Sequence, residues 1–364
     1  MKRILALFCF VISFQVALAQ KPNVDSILQQ LGVEKDEDKK VDLLVSLVSS
    51  EINNDPEWAI STGIKILNQA KRDNNNNLEL AVANSFLGQG YRLLGNNIKA
   101  LEYHHNGLIA AEKTGNSSII AFVENQTAHI YRDRGEYEKA ISLYLSATDH
   151  ADHGKNEKIK AWGPLNLGAT YLAVNKLDSS LMYSQRAYEI FVRLKANTNY
   201  SFVFINLGGV QSKLGNAPVA LGYFNMAISQ NDGSPNTRYL NLAYTGLAEH
   251  YQRFNQTDSC VLYAKKAIAQ VSNTPFFYLS SKPAQLLADI YEKTNCDSTL
   301  KYAKLVKTAA DSLSSSKANQ QILLMTFEED LRKQELAAEK SKEAEQRKQN
   351  MQYALIAIAA LLFC

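Results

Sequence analysis

Two histidines near residue 150 have the spacing of metal ligands on one helix. His150 and His153 lie three positions apart and flank Asp152. A zinc site needs three or four such ligands. No further ligand stands at a useful spacing, so a solvated helix end is the favoured interpretation. The sequence also lacks a supported Ser–His–Asp grouping, a phosphate-binding glycine loop and a nucleophile elbow. We therefore expect no metal site, no cofactor and no enzymatic activity.

Polar side chains suited to binding recur at intervals of forty residues. Asn166 and Asn206 form one such pair, and Arg92 and Arg132 form another. An asparagine amide both donates and accepts hydrogen bonds, so it can hold the backbone of an extended peptide. A guanidinium group pairs well with a carboxylate. These side chains can lie on one surface only if the structural units of the fold also repeat every forty residues.

The chain repeats every forty residues from position 81 onward. Position 8 of each unit is Gly or Ala, and position 11 is Tyr in five of six units. This spacing puts both positions on one face of a helix. Position 15 is always Gly or Asn, the residues that readily take the left-handed conformation that ends a helix. These six residues are Gly95, Gly135, Asn175, Gly215, Asn255 and Asn295. A second apolar helix follows, so each unit is predicted to be an antiparallel helix pair.

An earlier and less regular unit fits residues 41 to about 72. Asp55 and Pro56 supply an N-cap and a first-turn proline there. A weaker match is expected of a terminal unit that caps the stack. The sequence therefore predicts an all-α solenoid of about seven helix pairs over residues 41–310, after a mature N-terminal segment at 20–40.

The recurring residues resemble the tetratricopeptide repeat family. The match consists of Leu-Gly or Leu-Ala at positions 7–8, Tyr at 11, a small residue at 20 and Ala at 27. It covers about residues 41–309. The family's Trp at position 4 and Pro at position 32 are missing, and the period is forty where the usual unit has thirty-four. The six extra residues predict longer helices and longer links between units. The resemblance implies a right-handed superhelix whose first helices line a concave groove.

The resemblance further implies that positions 2, 5, 6, 9, 12 and 13 face this groove. We predict that it binds a peptide or protein segment, with Asn at position 6 holding the backbone as in the family. Alternatively, the aromatic side chains only pack between units, and the asparagines only bond to neighbouring helices. The candidate residues are Phe122, Trp162, Phe202, Asn125, Asn166, Asn206, His129, Arg92, Arg132 and Arg253.

The first nineteen residues have the pattern of a secretory signal. Lys2 and Arg3 precede an apolar run that ends in the small residues Ala17-Leu18-Ala19. An uncleaved anchor is the alternative. The formal charge of +3 falls close to neutral once this segment is removed, which gives no basis for binding nucleic acid. Cys260 and Cys296 remain in the folded body, where a disulfide is possible and two unpaired thiols are favoured.

The C-terminal part consists of a polar segment followed by an apolar segment. Residues 311–350 are polar, without Pro or Gly, and predict a long helix that acts as a lone stalk or self-associates as a weak coiled coil. Residues 351–364 are apolar, but a helix of this length spans about 21 Å of a hydrocarbon core of about 30 Å. We interpret them as the start of a transmembrane helix, with a short hydrophobic tail as the alternative.

This order of segments resembles that of exported bacterial sensor proteins. In those proteins a periplasmic repeat array is joined through a stalk and one span to a histidine kinase or DNA-binding regulator. The chain would then be the periplasmic sensory or interaction part of a protein anchored in the inner membrane, without its output module. The alternative is a cell-envelope scaffold or adaptor that has no signalling role.

Overall fold

The computed structural model describes residues 23–48, 55–74, 76–195, 200–230, 237–274, 276–312, 346–347 and 350–351. Within these residues the secondary structure is helical, and no β-strand is present. The predicted signal segment lies outside them, as do most of the predicted stalk and all of the predicted membrane segment except Met351.

Fifteen α-helices follow one another in the described residues up to position 312. A short 3₁₀ helix at Phe277–Ser280 precedes the fourteenth. In chain order they are α1 (Val24–Val33), α2 (Glu37–Ser46), α3 (Pro56–Arg72), α4 (Asn77–Leu93), α5 (Asn97–Thr114), α6 (Ser117–Asp133), α7 (Tyr137–His153), α8 (Glu157–Ala173), α9 (Leu177–Arg193), α10 (Tyr200–Lys213), α11 (Ala217–Ser229), α12 (Thr237–Arg253), α13 (Thr257–Val271), α14 (Ser281–Tyr291) and α15 (296–312).

The helices from α4 onward form the predicted pairs, each joined by a tight turn. Helix α4 packs along α5, α6 along α7, α8 along α9, α10 along α11 and α12 along α13. Most of these helices have 17 residues. The link from α5 to α6 is Gly115–Asn116, and that from α7 to α8 is Gly154–Asn156. The longer period is therefore taken up by longer helices, as predicted, whereas the prediction of longer links is wrong at these two places.

Left-handed residues end the first helices, as the Gly and Asn pattern predicts. The φ angle is 77° at Gly135 and 59° at Asn175, and Gly95, Gly215 and Asn255 also have positive φ. Asn295 is the exception. The last unit is one residue shorter, and Asn295 instead caps the next helix by accepting a hydrogen bond from the Ser298 backbone N–H at 2.9 Å.

Close contact at position 8 explains why this position is always small. A Cβ atom on Gly88 would lie 2.7 Å from the ring of His104, which is at position 24 on the paired helix. A Cβ on Gly168 would collide with Ser184 at the corresponding place. In these two pairs the helices approach so closely because position 8 carries no side chain, so the small residue at this position is a packing feature.

The first unit differs from the predicted helix pair. Helix α3 packs along α4, whereas α2 contacts α1 and α4 and does not lie alongside α3. The side chain of Asp42 accepts a hydrogen bond at 2.7 Å from Asn156, beyond α7, and Lys155 pairs with Asp38 at 2.7 Å. The unit at residues 41–72, predicted to be less regular than the others, therefore contains two helices that do not pack along each other. The apolar face of α2 is buried against several units instead of one partner helix.

Two further findings concern the described residues. No helix among them is both long enough and apolar enough to cross a bilayer. Cys260 is buried and Cys296 is exposed, and neither forms a disulfide. The two thiols are therefore unpaired, which is the interpretation favoured from the sequence.

Candidate functional site

The first helices of the pairs form the inner layer of the array. Helix α4 packs on α6, α6 on α8, α8 on α10, α10 on α12 and α12 on α14. Comparable packing between successive second helices is not found in the described residues. Successive first helices are therefore closer together than successive second helices. An array built in this way curves towards the layer of first helices, so these helices line the concave face.

A hydrogen-bond network joins three candidate residues on this face. The amide N–H of Asn166 donates to Asn125 Oδ1 at 3.1 Å and to the backbone carbonyl of Trp162 at 3.0 Å. Arg132 donates to Asn166 Oδ1 at 3.1 Å. The donors and the acceptor of this amide are thus used within the protein, and Asn166 connects α6 to α8.

Asn206 occupies the same repeat position with a different result. It is 4% exposed, and its Nδ2 has no hydrogen-bond partner. The units differ because Leu165 stands where Asn125 would be, and Leu172 stands where Arg132 would be. A buried amide without a partner is costly. Asn206 therefore presents an unused donor, and the Thr245 hydroxyl oxygen on the next first helix also lacks a partner.

Two arginines share one carboxylate between neighbouring units. Arg92 on α4 contacts Asp133 at the end of α6, and its Nε donates to Gln89 at 3.0 Å. Arg132 Nε lies 3.8 Å from the other oxygen of Asp133. Burial lowers the pKa of Arg92, Asp133 opposes this shift, and the positive charges of Arg132 and Arg238 add to it. Arg238 comes from the first turn of α12.

His129 lies beside these arginines and is kept neutral. It is 7% exposed, its ring meets the Tyr144 ring edge-on, and its Nδ1 has no hydrogen-bond partner. Burial, and then the charges of Arg132 and Arg92, lower the pKa of His129 well below its ordinary value. A neutral imidazole can donate or accept one hydrogen bond here, but it adds no charge to the site.

The aromatic candidates pack between units. The rings of Phe122 and Trp162 have centroids 6.0 Å apart and belong to successive first helices. Phe202 stacks on Tyr239 of the next first helix at 5.9 Å. Phe122 is fully buried, while Trp162 and Phe202 keep part of their surface accessible. The two half-buried rings are therefore the aromatic residues that a ligand can reach.

Comparisons with known proteins agree with this architecture. A family model described as Tetratricopeptide repeat matches residues 127–155. The fold is that of a tetratricopeptide-repeat array. Similar solved structures include a Rap protein complexed with Competence and Sporulation Factor, with a TM-score of 0.61 and 13% identity over 80% of this chain and 78% of that one. The apo form of RapI has a TM-score of 0.58 and 18% identity over 72% of this chain and 94% of that one.

Two other results complete the comparison. BtubC (BKLC) from P. vanneervenii has a TM-score of 0.50 and 18% identity, over 60% of this chain and 92% of that chain. No curated protein sequence gives a significant match. Because these identities are low, the structural likeness concerns the fold.

The remaining candidates lie apart from the Asn and Arg network. Arg253, at the end of α12, is exposed. Burial lowers the pKa of nearby Lys213, and the charge of Arg253 adds to this effect. The Lys213 ammonium group donates to the backbone carbonyl of Leu172 at 3.2 Å. His150 bonds Glu124 at 2.8 Å and His153 bonds a carbonyl of its own helix, so each histidine has a different partner.

Several residues of the tetratricopeptide-repeat groove were missed in the sequence. Asp133 and Gln89 connect to Arg92, and Arg238 acts on it from α12. Asp133 and Gln89 stand at positions 13 and 9, which the resemblance assigns to the groove, so position alone could have identified them. Arg238 lies before the first position of its unit, and no repeat rule points to it.

Proposed function

We propose that the concave face binds a peptide or protein segment in an extended conformation. The observation that carries this proposal is the buried Asn206 Nδ2, which has no partner within the protein. Asn206 is enclosed in this structure, so its side chain must turn towards the groove on binding. A carbonyl of the peptide backbone would then accept the hydrogen bond, whatever the side chains of the peptide. A similar fold has been solved in complex with a factor, Competence and Sporulation Factor, which supports a role in binding.

We further propose that the array is the periplasmic input part of a membrane-anchored signalling protein that has no enzymatic activity of its own. The sequence pattern of residues 1–19 supports export, and residues 351–364 support anchoring. Self-association through residues 311–350 would pass ligand binding on to the membrane. A scaffold of the cell envelope is the second candidate, and the repeat fold alone is equally compatible with it.

The two asparagines supply a matched test of ligand binding. Peptides that bind the full-length chain are first selected from a random library, and their affinities are then measured for the Asn206→Leu and Asn166→Leu variants. Asn206→Leu should weaken binding about tenfold, since one hydrogen bond to the ligand is lost. It should not lower the free energy of unfolding, because a buried amide without a partner is removed. Asn166→Leu should destabilise by about 1–3 kcal/mol, because Asn125 and Arg132 lose their partner.

The opposite pattern would contradict the proposal. If the library yields no binding peptide, or if the selected peptides bind Asn206→Leu as tightly as the wild type, Asn206 does not hold the ligand. Cross-linking with pulldown separates the two candidate functions. A scaffold retains stable partners at fixed stoichiometry, whereas a sensor changes its cross-links when the selected peptide is added.

A further inference from the structure

Gly222, in the middle of α11, is a glycine that packing within the chain does not explain. A Cβ atom there would meet no other atom within 4 Å among the described residues, whereas a Cβ on Gly88 or Gly168 would collide with the paired helix. Gly222 has a helical backbone and is partly exposed on the outer layer of second helices. Glycine is unfavourable inside a helix, because the unfolded chain is more flexible there. An outer glycine of this kind suits the close approach of another molecule.

The surface around Gly222 is apolar and lacks charge at its centre. Helix α11 has no charged residue, whereas the second helices α5, α7, α9 and α13 each carry several. Val219 and Met226 lie on the same face of α11 as Gly222. Met182 on α9 and Leu262 on α13 occupy the repeat position of Gly222 in the neighbouring units. These four side chains are between 48% and 54% exposed. Exposed apolar side chains grouped in this way are typical of a protein–protein interface.

We propose that this outer surface of α9, α11 and α13 binds a second copy of the chain. The two copies are related by a twofold axis, each of the three helices packs antiparallel on its counterpart, and Gly222 lies at the centre. The proposal is independent of the proposed peptide binding, because it uses the convex layer of second helices and not the concave face.

The charges beside Leu262 are complementary to themselves in this arrangement. Asp258 lies four residues before Leu262 and Lys266 lies four residues after it, so the three residues share one face of α13. When two α13 helices pack antiparallel with Leu262 at the centre, the Asp258 of each copy lies beside the Lys266 of the other. Both charged side chains are exposed, and neither has an ion-pair partner within the described residues. A second copy would supply both partners.

Helix α9 carries the same order of an acidic, an apolar and a basic residue. Asp178 and Arg186 lie four residues to either side of Met182. Arg186 already pairs with Asp152 of α7, but its planar group of five N–H donors can bind a second carboxylate. Neither α5 nor α7 has this order at the equivalent positions. The pattern is thus found on the two helices that flank α11.

These charges also favour antiparallel over parallel packing. In a parallel twofold arrangement, α9 would lie on the α13 of the other copy, and Asp178 would lie beside Asp258. Such like charges repel each other. The antiparallel arrangement instead places opposite charges together on both flanking helices.

The curvature of the array gives Gly222 its role in this contact. Two convex surfaces meet first at their middle helix, and the missing side chain lets both α11 helices approach closely. The flanking helices curve away from the contact. They come near enough for Met182 and Leu262 to pack only because the central helices are so close.

Gly222→Arg tests the centre of the interface. Sedimentation equilibrium of the full-length chain in a mild detergent measures the dissociation constant of the dimer. Gly222→Arg should raise this constant about tenfold or more, because two like charges would meet where the helices are closest. Ser142→Arg is the matched control, because Ser142 is exposed at the same repeat position of α7 and should leave the constant unchanged. The open space at Gly222 lets the variant fold, which thermal melts check.

Exchange of charges tests the antiparallel register. Asp258→Lys and Lys266→Asp each place like charges together and should each weaken dimerisation about tenfold. An equimolar mixture of the two variants should restore it, because every Lys then faces an Asp. In the wild type, a carbodiimide that joins a carboxylate directly to an amine should cross-link Asp258 to Lys266. Two turns of helix, about 12 Å, separate these residues within one chain, so this link forms only between copies.

A wild type that stays monomeric, or a dimer that Gly222→Arg and Ser142→Arg affect equally, would overturn the proposal. A dimer without the cross-link between Asp258 and Lys266 would also overturn it, and would assign self-association to another part of the chain, such as residues 311–350. A monomer that binds phosphatidylcholine vesicles, and loses this binding in Gly222→Arg, would assign the surface to a membrane instead. If Gly222→Arg does not fold, the mixture of Asp258→Lys and Lys266→Asp decides, because a mixture without dimer rules out the antiparallel contact.

Discussion

His104 places a titratable ring in the packing contact between α4 and α5. It is fully buried over Gly88, and neither ring nitrogen has a hydrogen-bond partner. Burial, with a smaller effect of Arg92, lowers its pKa to about 3. The unfolded chain takes up a proton near pH 6.5, but the folded chain does not until about pH 3. The free energy of unfolding should therefore fall as the pH drops below 6.5.

The variant His104→Phe should remove the part of this acid sensitivity that is due to His104, while that due to the buried His129 remains. Phe224 occupies the same repeat position over Gly208, so a phenyl ring fits this place in the fold. At pH 5 the wild type should have lost about 2 kcal/mol that the variant keeps. Urea unfolding at several pH values measures the difference, with His105→Gln, a change at the exposed neighbouring residue, as the control. A loss of stability between pH 7 and pH 5 that is as large in His104→Phe as in the wild type would contradict this account.

Glu79, at the start of α4, should have the opposite effect on how the free energy of unfolding depends on pH. It is fully buried, and neither carboxylate oxygen has a hydrogen-bond partner. Burial raises its pKa from 4.5 to about 7; the charge of Asp73 adds to this shift, and Lys40 and Arg72 oppose it. The folded chain therefore holds a proton that the unfolded chain releases, and stability should decline as the pH rises from 4.5 to 7.

Glu79→Gln removes this titration while keeping the shape of the side chain. The variant should match the wild type near pH 4.5 and exceed it by roughly 3 kcal/mol above pH 7. The measurement is again urea unfolding across this range, with Glu57→Gln at an exposed position of α3 as the control. Equal stabilities of wild type and Glu79→Gln at pH 8 would show that the buried carboxyl group is not the cause.

Among the structural elements, the sequence correctly predicts the helices and helix pairs that are determined by residues close together in the chain. The helix pairs from α4 onward are all present. The signals that predict them are the apolar period, the small residue at position 8 and the left-handed residue at position 15, and each of these determines structure within one unit. Asn295 deviates because a deletion changes its turn. Helix α2 deviates because its buried residues Val41 and Leu44 pack against distant units. A periodic pattern shows that a face is buried, but it does not identify the partner.

In the candidate site, too, the sequence predicts the positions of residues within a unit but not the contacts that they make with other units. Asn166 and Asn206 are equivalent in the repeat, yet the structure uses one internally and leaves the other with an unused donor. The cause lies in the neighbouring unit, where Leu165 replaces Asn125. Comparison of units position by position could have found this difference. The effect of the Arg238 charge on the pKa of Arg92 could not be found in that way, because it depends on how distant units are placed in the superhelix.

The whole molecule departs from the simple behaviour of a solenoid. In an ideal array each unit contacts only its neighbours, and stability is a sum of local contributions. Here Asp42 of α2 holds Asn156, the residue that caps α8 by accepting a hydrogen bond from the Ile159 backbone N–H. The start of the chain is thus coupled directly to the third of the regular helix pairs. Opening of α2 should therefore loosen the beginning of α8, although more than 110 residues separate them.

Asp42→Ala tests this coupling. Loss of the hydrogen bond should cost about 1 kcal/mol. It should speed hydrogen exchange in α2 and also in the first turn of α8, because the cap residue Asn156 loses the contact that holds it. Asp258→Ala, at an exposed first-turn position of α13, should change exchange only near its own site. If the faster exchange in Asp42→Ala were confined to α2, the array would behave as a chain of nearest neighbours, and α2 would be a terminal cap without influence on the inner units.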